Sequence, residues 1–427
     1  MIALWRRRKT KSDGRNRQTD VKASSGSSDN VPALPLELVY KILREACELP
    51  PRAGDRHLLC ACAVVCKSWH PFAQSLLYHS LTVENSRVYV SRTPGTVGPA
   101  ALLYRSHLLR FTRSLTVRII DEFAATLPLF SEEGVPGGHP ECVRIPDFLS
   151  LLAHTPALRS LRLSVSWSRK DTCSFEPSIL DWLSSLVIPI EVLDLKYGRP
   201  FDSPLVYDLV RLWPTIRALH VRTDYGGPLP ERPSVRLREL RLPITSLASV
   251  IEWFLPPPSQ HDRSELRILE LYEIPPEGGA AALSAHGPNV SSLTLTRQPA
   301  SGLAEIFPNL EEFVIAGPFW SSPLPTLPKT LMHIRLQAHA FMSDSFLPAV
   351  AAAIPTLASL RALSIEEALT TDKNFPTLWE TCREHRIDVL VNPIPSSLVI
   401  GTAHLYLVEM DRFPRQRTFA EFFDAGR

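Results

Sequence analysis

One short pattern of apolar and polar positions returns along most of the chain. Apolar residues stand at its first, fourth and sixth positions, as in Leu158-Leu161-Leu163, Ile190-Leu193-Leu195, Ile216-Leu219-Val221 and Leu237-Leu240-Leu242. It continues as Leu266-Leu269-Leu271, Val290-Leu293-Leu295, Leu310-Phe313-Ile315, Leu331-Ile334-Leu336 and Leu360-Leu363-Ile365, with Thr112-Leu115-Val117 as a degenerate earlier copy. The last two apolar residues of each copy alternate, which predicts a short strand with one face inward. Many copies follow a helix-like run, such as 147–152, 205–210 or 347–352, and a proline often separates the two, as at Pro156, Pro214, Pro308 and Pro355. Proline cannot continue a helix and biases its predecessor to extended backbone. The repeated order predicts a solenoid with parallel strands on one side and helices on the other.

Steps of 20 to 32 residues separate the nine full copies, mostly within the span of leucine-rich repeats, which the pattern resembles. None carries Asn or Cys three positions beyond its last apolar residue, so the expectation is an irregular horseshoe with varied turns. Residues between the anchors point away from the core. Arg162, Asp194, His220, Arg241, Glu270 and Arg335 are therefore the candidates for a partner-facing surface, together with Thr294, Val314 and Ser364.

Ahead of the repeats the period changes. Apolar residues at 38, 39, 42, 43 and 46 keep helical spacing, Pro35 suits a first turn, and Pro50-Pro51 stops it. Further helices are predicted from about Arg56 to Ser68 and from Pro71 to Tyr78. Three short helices make a marginal core, so the unit gains from docking on something else.

Composition adds limits. The chain has 427 residues and a formal net charge of +2, which excludes a general polyelectrolyte role. Residues 1–22 hold eight basic and two acidic side chains, about +6 by count, and the 1–31 arm is expected to be disordered. Its Arg6-Arg7-Arg8-Lys9 run reads either as a solvated tail or as an import signal or phosphate or membrane contact. No run is long enough to span a bilayer, and seven cysteines without a secretion signal suggest reduced thiols in the cytoplasm or nucleus. Cys62, Cys66 and His70 fall at helical i, i+4, i+8 spacing, but the paired short ligand spacing of structural zinc is missing, and no metal or cofactor is expected. No phosphate-binding glycine loop or nucleophile elbow occurs, so the chain is not expected to be an enzyme.

Residues 34–79 resemble the F-box. The matching parts are Leu34-Pro35, Glu37-Leu38, Ile42-Leu43, Val65-Cys66-Lys67-Ser68-Trp69, Phe72-Ala73 and Leu76-Leu77-Tyr78, with a connection at 48–55 longer than usual. The resemblance, to F-box proteins of the fungal type, implies docking on the Skp adaptor of a Skp–cullin–F-box ubiquitin ligase. The repeats would then hold a protein substrate, with neither nucleic acid nor membrane as partner. Leu34, Pro35, Leu38, Ile42, Leu43, Val65 and Trp69 are the implied adaptor contacts, although Trp69 and Cys66 fit a core position equally well. The expected organisation is an α/β chain with a basic arm (1–31), a three-helix F-box (32–80), leucine-rich-like repeats (81–390) and a C-terminal cap or tail (391–427). The alternative is a scaffold outside ubiquitin transfer, whose F-box-like helices cap the solenoid.

Overall fold

The structure is a computed structural model. It describes residues 35–48, 55–65, 68–84, 87–90, 93–95, 106–120, 143–166, 174–197, 204–222, 229–232, 234–243, 247–257, 264–275, 278–299, 302–319, 324–337, 346–392 and 413–421. The basic arm, Leu34 and Cys66 lie outside the described residues. Two compact units form, residues 1–49 and 50–427, so the division falls inside the 32–80 module and not at its end.

The first unit holds α1 (Leu36–Glu48), begun by Pro35, whose carbonyl accepts the Leu38 and Val39 N–H groups. The second unit begins with α2 (Asp55–Val65) and α3 (His70–Leu77), which leads through Tyr78 and His79 into the first strand. A single 15-stranded sheet follows. Its strands are β1 (Ser80–Glu84), β2 (Arg87–Val90), β3 (Thr93–Gly95), β4 (Ser114–Ile120), β5 (Val143–Arg144), β6 (Ser160–Ser166), β7 (Val192–Tyr197) and β8 (Ala218–Val221). Then come β9 (Glu239–Leu242), β10 (Ile268–Leu271), β11 (Ser292–Arg297), β12 (Glu312–Phe319), β13 (His333–Leu336), β14 (Ala362–Glu366) and β15 (Asp388–Asn392). Apart from the antiparallel β1–β2 and β2–β3 pairs, every neighbour is parallel; sequence order is kept from β6 to β15, β1 lies beside β4 with β2 and β3 outside it, and β5 pairs with one end of β4.

The last two apolar residues of every full copy sit in this ladder. Leu161, Leu193, Leu219, Leu240, Leu269, Leu293, Phe313, Ile334 and Leu363 pair laterally as one row, and Leu163 through Ile365 form the second row. Both rows are buried in one apolar cluster with helix residues such as Leu151, Leu209, Ile251, Leu283, Val350 and Leu378. This is the core that the period-2 pattern demands: half of each strand is apolar because helices cover one face only. The strand connections close on backbone. The carbonyl just before a strand accepts two N–H groups from the next repeat, as Arg159 does from Glu191 and Val192, and Arg217 from Arg238 and Glu239. On the exit side, where leucine-rich repeats often place Asn, the backbone ladder runs on by one residue, as when Tyr272 donates to Leu242. The repeats are unequal: strands run from 4 to 8 residues among β6–β14, and the register slips between β11 and β12 after Leu295.

Close approach between repeats fixes at least one residue type. A Cβ on Gly287, in the turn after the helix Gly279–Ser284, would overlap the backbone carbonyl of Ile306 in the next repeat. Backbone cannot swing aside as a flexible side chain can. Gly287→Ala is expected to cost about 1–3 kcal/mol of unfolding free energy, read as a lower urea midpoint.

Candidate functional site

Helix α1 has a split surface. Val39 and Leu43 are buried, whereas Leu36, Leu38 and Ile42 stand 40%, 48% and 55% exposed, and Pro35 is exposed ahead of them. Leu38 and Ile42 are four residues apart and so share one helix face. Of the expected adaptor contacts, then, Pro35, Leu38 and Ile42 face solvent, and Leu43 does not. Trp69, in the second unit, is half-buried, and α2 exposes Val64. The Val65 side chain lies outside the described residues.

The second surface is the sheet face opposite the helices. The residues between anchors form a single lateral row there: Arg162, Asp194, His220, Arg241, Glu270, Thr294, Val314, Arg335 and Ser364, each paired in register with the next. The row lies on the expected face, but most of it is closed to solvent. Arg162 is exposed and Glu270 half-buried, whereas Asp194, His220, Arg241 and Arg335 are buried. Part of the reason is lateral pairing. Asp194 accepts from Arg162 at 2.6 Å and from Arg222 at 3.4 Å, and Arg241 reaches Glu239 at 2.6 Å and Glu270 at 3.6 Å.

The larger reason is the chain's own C-terminal stretch, residues 413–421, which lies across this face. The Phe413 ring meets His220 edge-on at 5.1 Å between centroids and sits under the Arg241 guanidinium at 5.4 Å. Arg415 donates its backbone N–H to Glu239 at 2.7 Å, and its Nη1 to Ser292 at 2.9 Å and Glu312 at 2.6 Å. Arg238 Nη2 donates to the Gln416 carbonyl. Phe419 stacks on His333 with centroids 4.4 Å apart and the rings within 9° of parallel, in a small apolar cluster with Val314 and Ala362. Thr418 and Glu421 exchange N–H bonds in a Thr-x-x-Glu capping arrangement that opens a last helical turn. Beside Arg415 a cavity of about 350 Å³ remains, lined by Arg222, Arg241, Arg335 and Arg415 with Glu270.

A second lateral row, two residues before the first, supplies most of these contacts: Glu239, Ile268, Ser292, Glu312, His333 and Ala362. Sequence reading passed over this row. The strand period carries the signal, because a residue just before the first anchor of a strand faces the same way as the one just after it.

Burial and neighbours set the charge states. Burial alone would raise the Glu312 carboxyl, but the Arg415 guanidinium and the His333 hydrogen bond outweigh it, and the group titrates well below the usual carboxylate range. His333 is pushed down by burial, against the pull of Glu312. It is neutral: Nδ1–H donates to Glu312 at 3.2 Å, and Nε2 accepts from the Ser364 hydroxyl at 2.7 Å. His220 is lowered to about 2, by burial and then by Arg222, Arg241 and Arg162. Its Nδ1 stays 3.5 Å from Asp194, whose carboxylate the arginines already hold. Cys382 is buried and its thiol is raised to about 11, so it is inert.

Taken together, the second unit is a parallel repeat protein with a peptide-covered face, and the first contributes an amphipathic helix with an apolar exposed side. A family model described as F-box-like matches residues 31–84. The chain thus carries an F-box-like domain at the N-terminal end of its sheet-bearing unit and across α1. No curated protein matches the chain. No described helix is long and apolar enough to cross a membrane.

The depressed His220 gives a signed pH dependence. Below about pH 6.5 the unfolded chain takes up a proton that the folded chain refuses, so stability is complete above that pH and declines as pH falls. Between pH 7 and pH 5 the loss from this group is about 2 kcal/mol. Urea unfolding at the two pH values should show the decline, and His220→Gln should make it smaller.

Proposed function

We propose that the chain is the substrate-recognition subunit of a Skp–cullin–F-box ubiquitin ligase, working in the cytoplasm or nucleus. In this reading α1 docks on the Skp adaptor, and the leucine-rich-repeat-like sheet unit holds a protein substrate. The chain performs no chemistry of its own. It raises the effective concentration of acceptor lysines near a loaded enzyme held by other subunits.

One observation carries the reading: within the F-box-like match, α1 leaves Leu38 and Ile42 about half exposed on one face. Apolar side chains at i and i+4 on the exposed side of a helix are anchors for a partner's groove. Burying the exposed half of two such side chains contributes about 1 kcal/mol each.

A second reading has its own support. Residues 50–80 group with the sheet, which suits a scaffold whose F-box-like helices cap the repeats. Deleting 32–80 would disturb the sheet under both readings, so point substitution in α1 is the discriminating test. In a pull-down with purified Skp adaptor, the wild-type chain should bind, and Leu38→Glu with Ile42→Glu should weaken binding at least 50-fold without moving the urea midpoint of the sheet unit. A wild-type chain that does not bind, or a double variant that binds equally well, overturns the ligase reading.

A further inference from the structure

We infer that the sheet face across β8–β14 is a peptide-binding groove for a partner segment that carries an arginine with an aromatic side chain two residues before it and another four residues after it. Residues 413–421 occupy that groove in cis. The inference deepens the receptor reading above, on which its biological meaning rests, by naming the chemistry of the partner.

The groove is built from three separate subsites. His220 and Arg241 form a cationic-aromatic wall that receives the Phe413 ring. Glu239, Ser292 and Glu312 form a central acceptor set, from three different strands, on the Arg415 backbone and guanidinium. His333, Val314 and Ala362 form a flat apolar seat under Phe419. Most of these side chains are buried, and Glu312 is 0% exposed with Arg415 at 6%. Carboxylates are almost never fully buried unless paired: Glu239 has Arg241 within the sheet, and the fully buried Glu312 takes its cation, Arg415, from outside it.

The mode of contact also points to a ligand. The segment crosses the strands and meets their side chains, so it adds no strand to the ladder and closes no edge. The two core rows lie in the apolar cluster with the helices, on the other side of the sheet. Its two aromatic rings and one buried arginine have the composition of binding hot spots. Twenty residues, 393–412, separate it from the end of β15, and a segment joined covalently to its own site competes at an effective concentration on the order of 1 mM. A partner segment of the same pattern must compete with that occupancy, which makes the C-terminal stretch a built-in competitor.

The test is a fluorescent peptide of residues 411–422 titrated into the full-length chain. It should bind Arg415→Ala at least tenfold more tightly than wild type, because the cis occupant has lost its anchor. The same peptide with alanine in place of its arginine should bind Arg415→Ala at least tenfold more weakly than the unaltered peptide does. Far-UV circular dichroism and the urea midpoint of the variant should stay close to wild type. Phe419→Ala serves as a second weakened occupant with the same expectations. The inference fails if a folded variant binds the peptide no better than wild type does. It also fails if both variants lose the fold, since the segment is then a structural brace. The assay contains no adaptor, so failure of α1 to dock and failure of the groove are read separately.

Discussion

Side-chain alternation in a parallel ladder that keeps its two inward rows aligned from β6 to β14 is the constraint on which the rest of this molecule depends. Each strand offers alternate residues to the helices and to the opposite face, and the lateral pairing aligns those choices across the sheet. Slipping one strand by a single residue would put leucines on the open face and charges in the apolar cluster. Burial of a leucine side chain contributes about 1.5–3 kcal/mol, so the inward rows leave little freedom. The outward rows are free to vary, but only as a matched set. Arg162 beside Asp194 and Arg241 beside Glu270 are pairs made by adjacent strands, not by neighbouring residues.

That constraint explains what could be read from the amino acids. The nine full signatures locate β6 to β14 because leucine or its equivalents at alternating positions leave a strong local signal. The first and last strands lack it for different reasons. Tyr78-Leu81-Val83 obeys the spacing, but it is shared with the end of the F-box-like match. At β15 the place of the first anchor is taken by Arg386, in the left-handed region at φ 58°. The outward-facing row was legible in position but not in environment. Asp194 and His220 looked partner-facing, and their burial depends on Arg222 and Phe413, the latter lying nearly 200 residues further on. Likewise Arg415 meets Glu239 across 176 positions of sequence. The run Arg412-Phe413-Pro414-Arg415 announces a basic, aromatic stretch, and nothing local says which face receives it.

The two surfaces differ in the physics of recognition. The α1 ridge presents apolar side chains that lose water on docking, so its affinity scales with area and shape and changes little with salt. The sheet face depends on placed charge. Glu312 is kept ionised by Arg415 and by the Nδ1–H of a neutral His333, whose other nitrogen is held by Ser364. Each member fixes the next, so the carboxylate is held in one orientation under the arginine. The surfaces also lie on different compact units, so substitution in one leaves the chemistry of the other intact.

A buried ion pair is a poor way to gain stability alone. Desolvating a carboxylate and a guanidinium offsets most of their attraction, and a well-packed apolar pair of equal volume often does as well or better. If residues 413–421 served only to cover the sheet, leucine at 415 against an apolar residue at 312 would suffice. Arginine held by Ser292 and Glu312, with its backbone N–H on Glu239, instead makes the site selective: an occupant without that cation would leave Glu312 buried and unmatched. Discrimination matters for a face that exchanges occupants and has no value for a permanent brace. Phe413 and Phe419 on either side supply area, and the arginine between them supplies register. On that argument the polar centre of the groove is kept for choosing what binds there, with stability left to the leucine rows beneath.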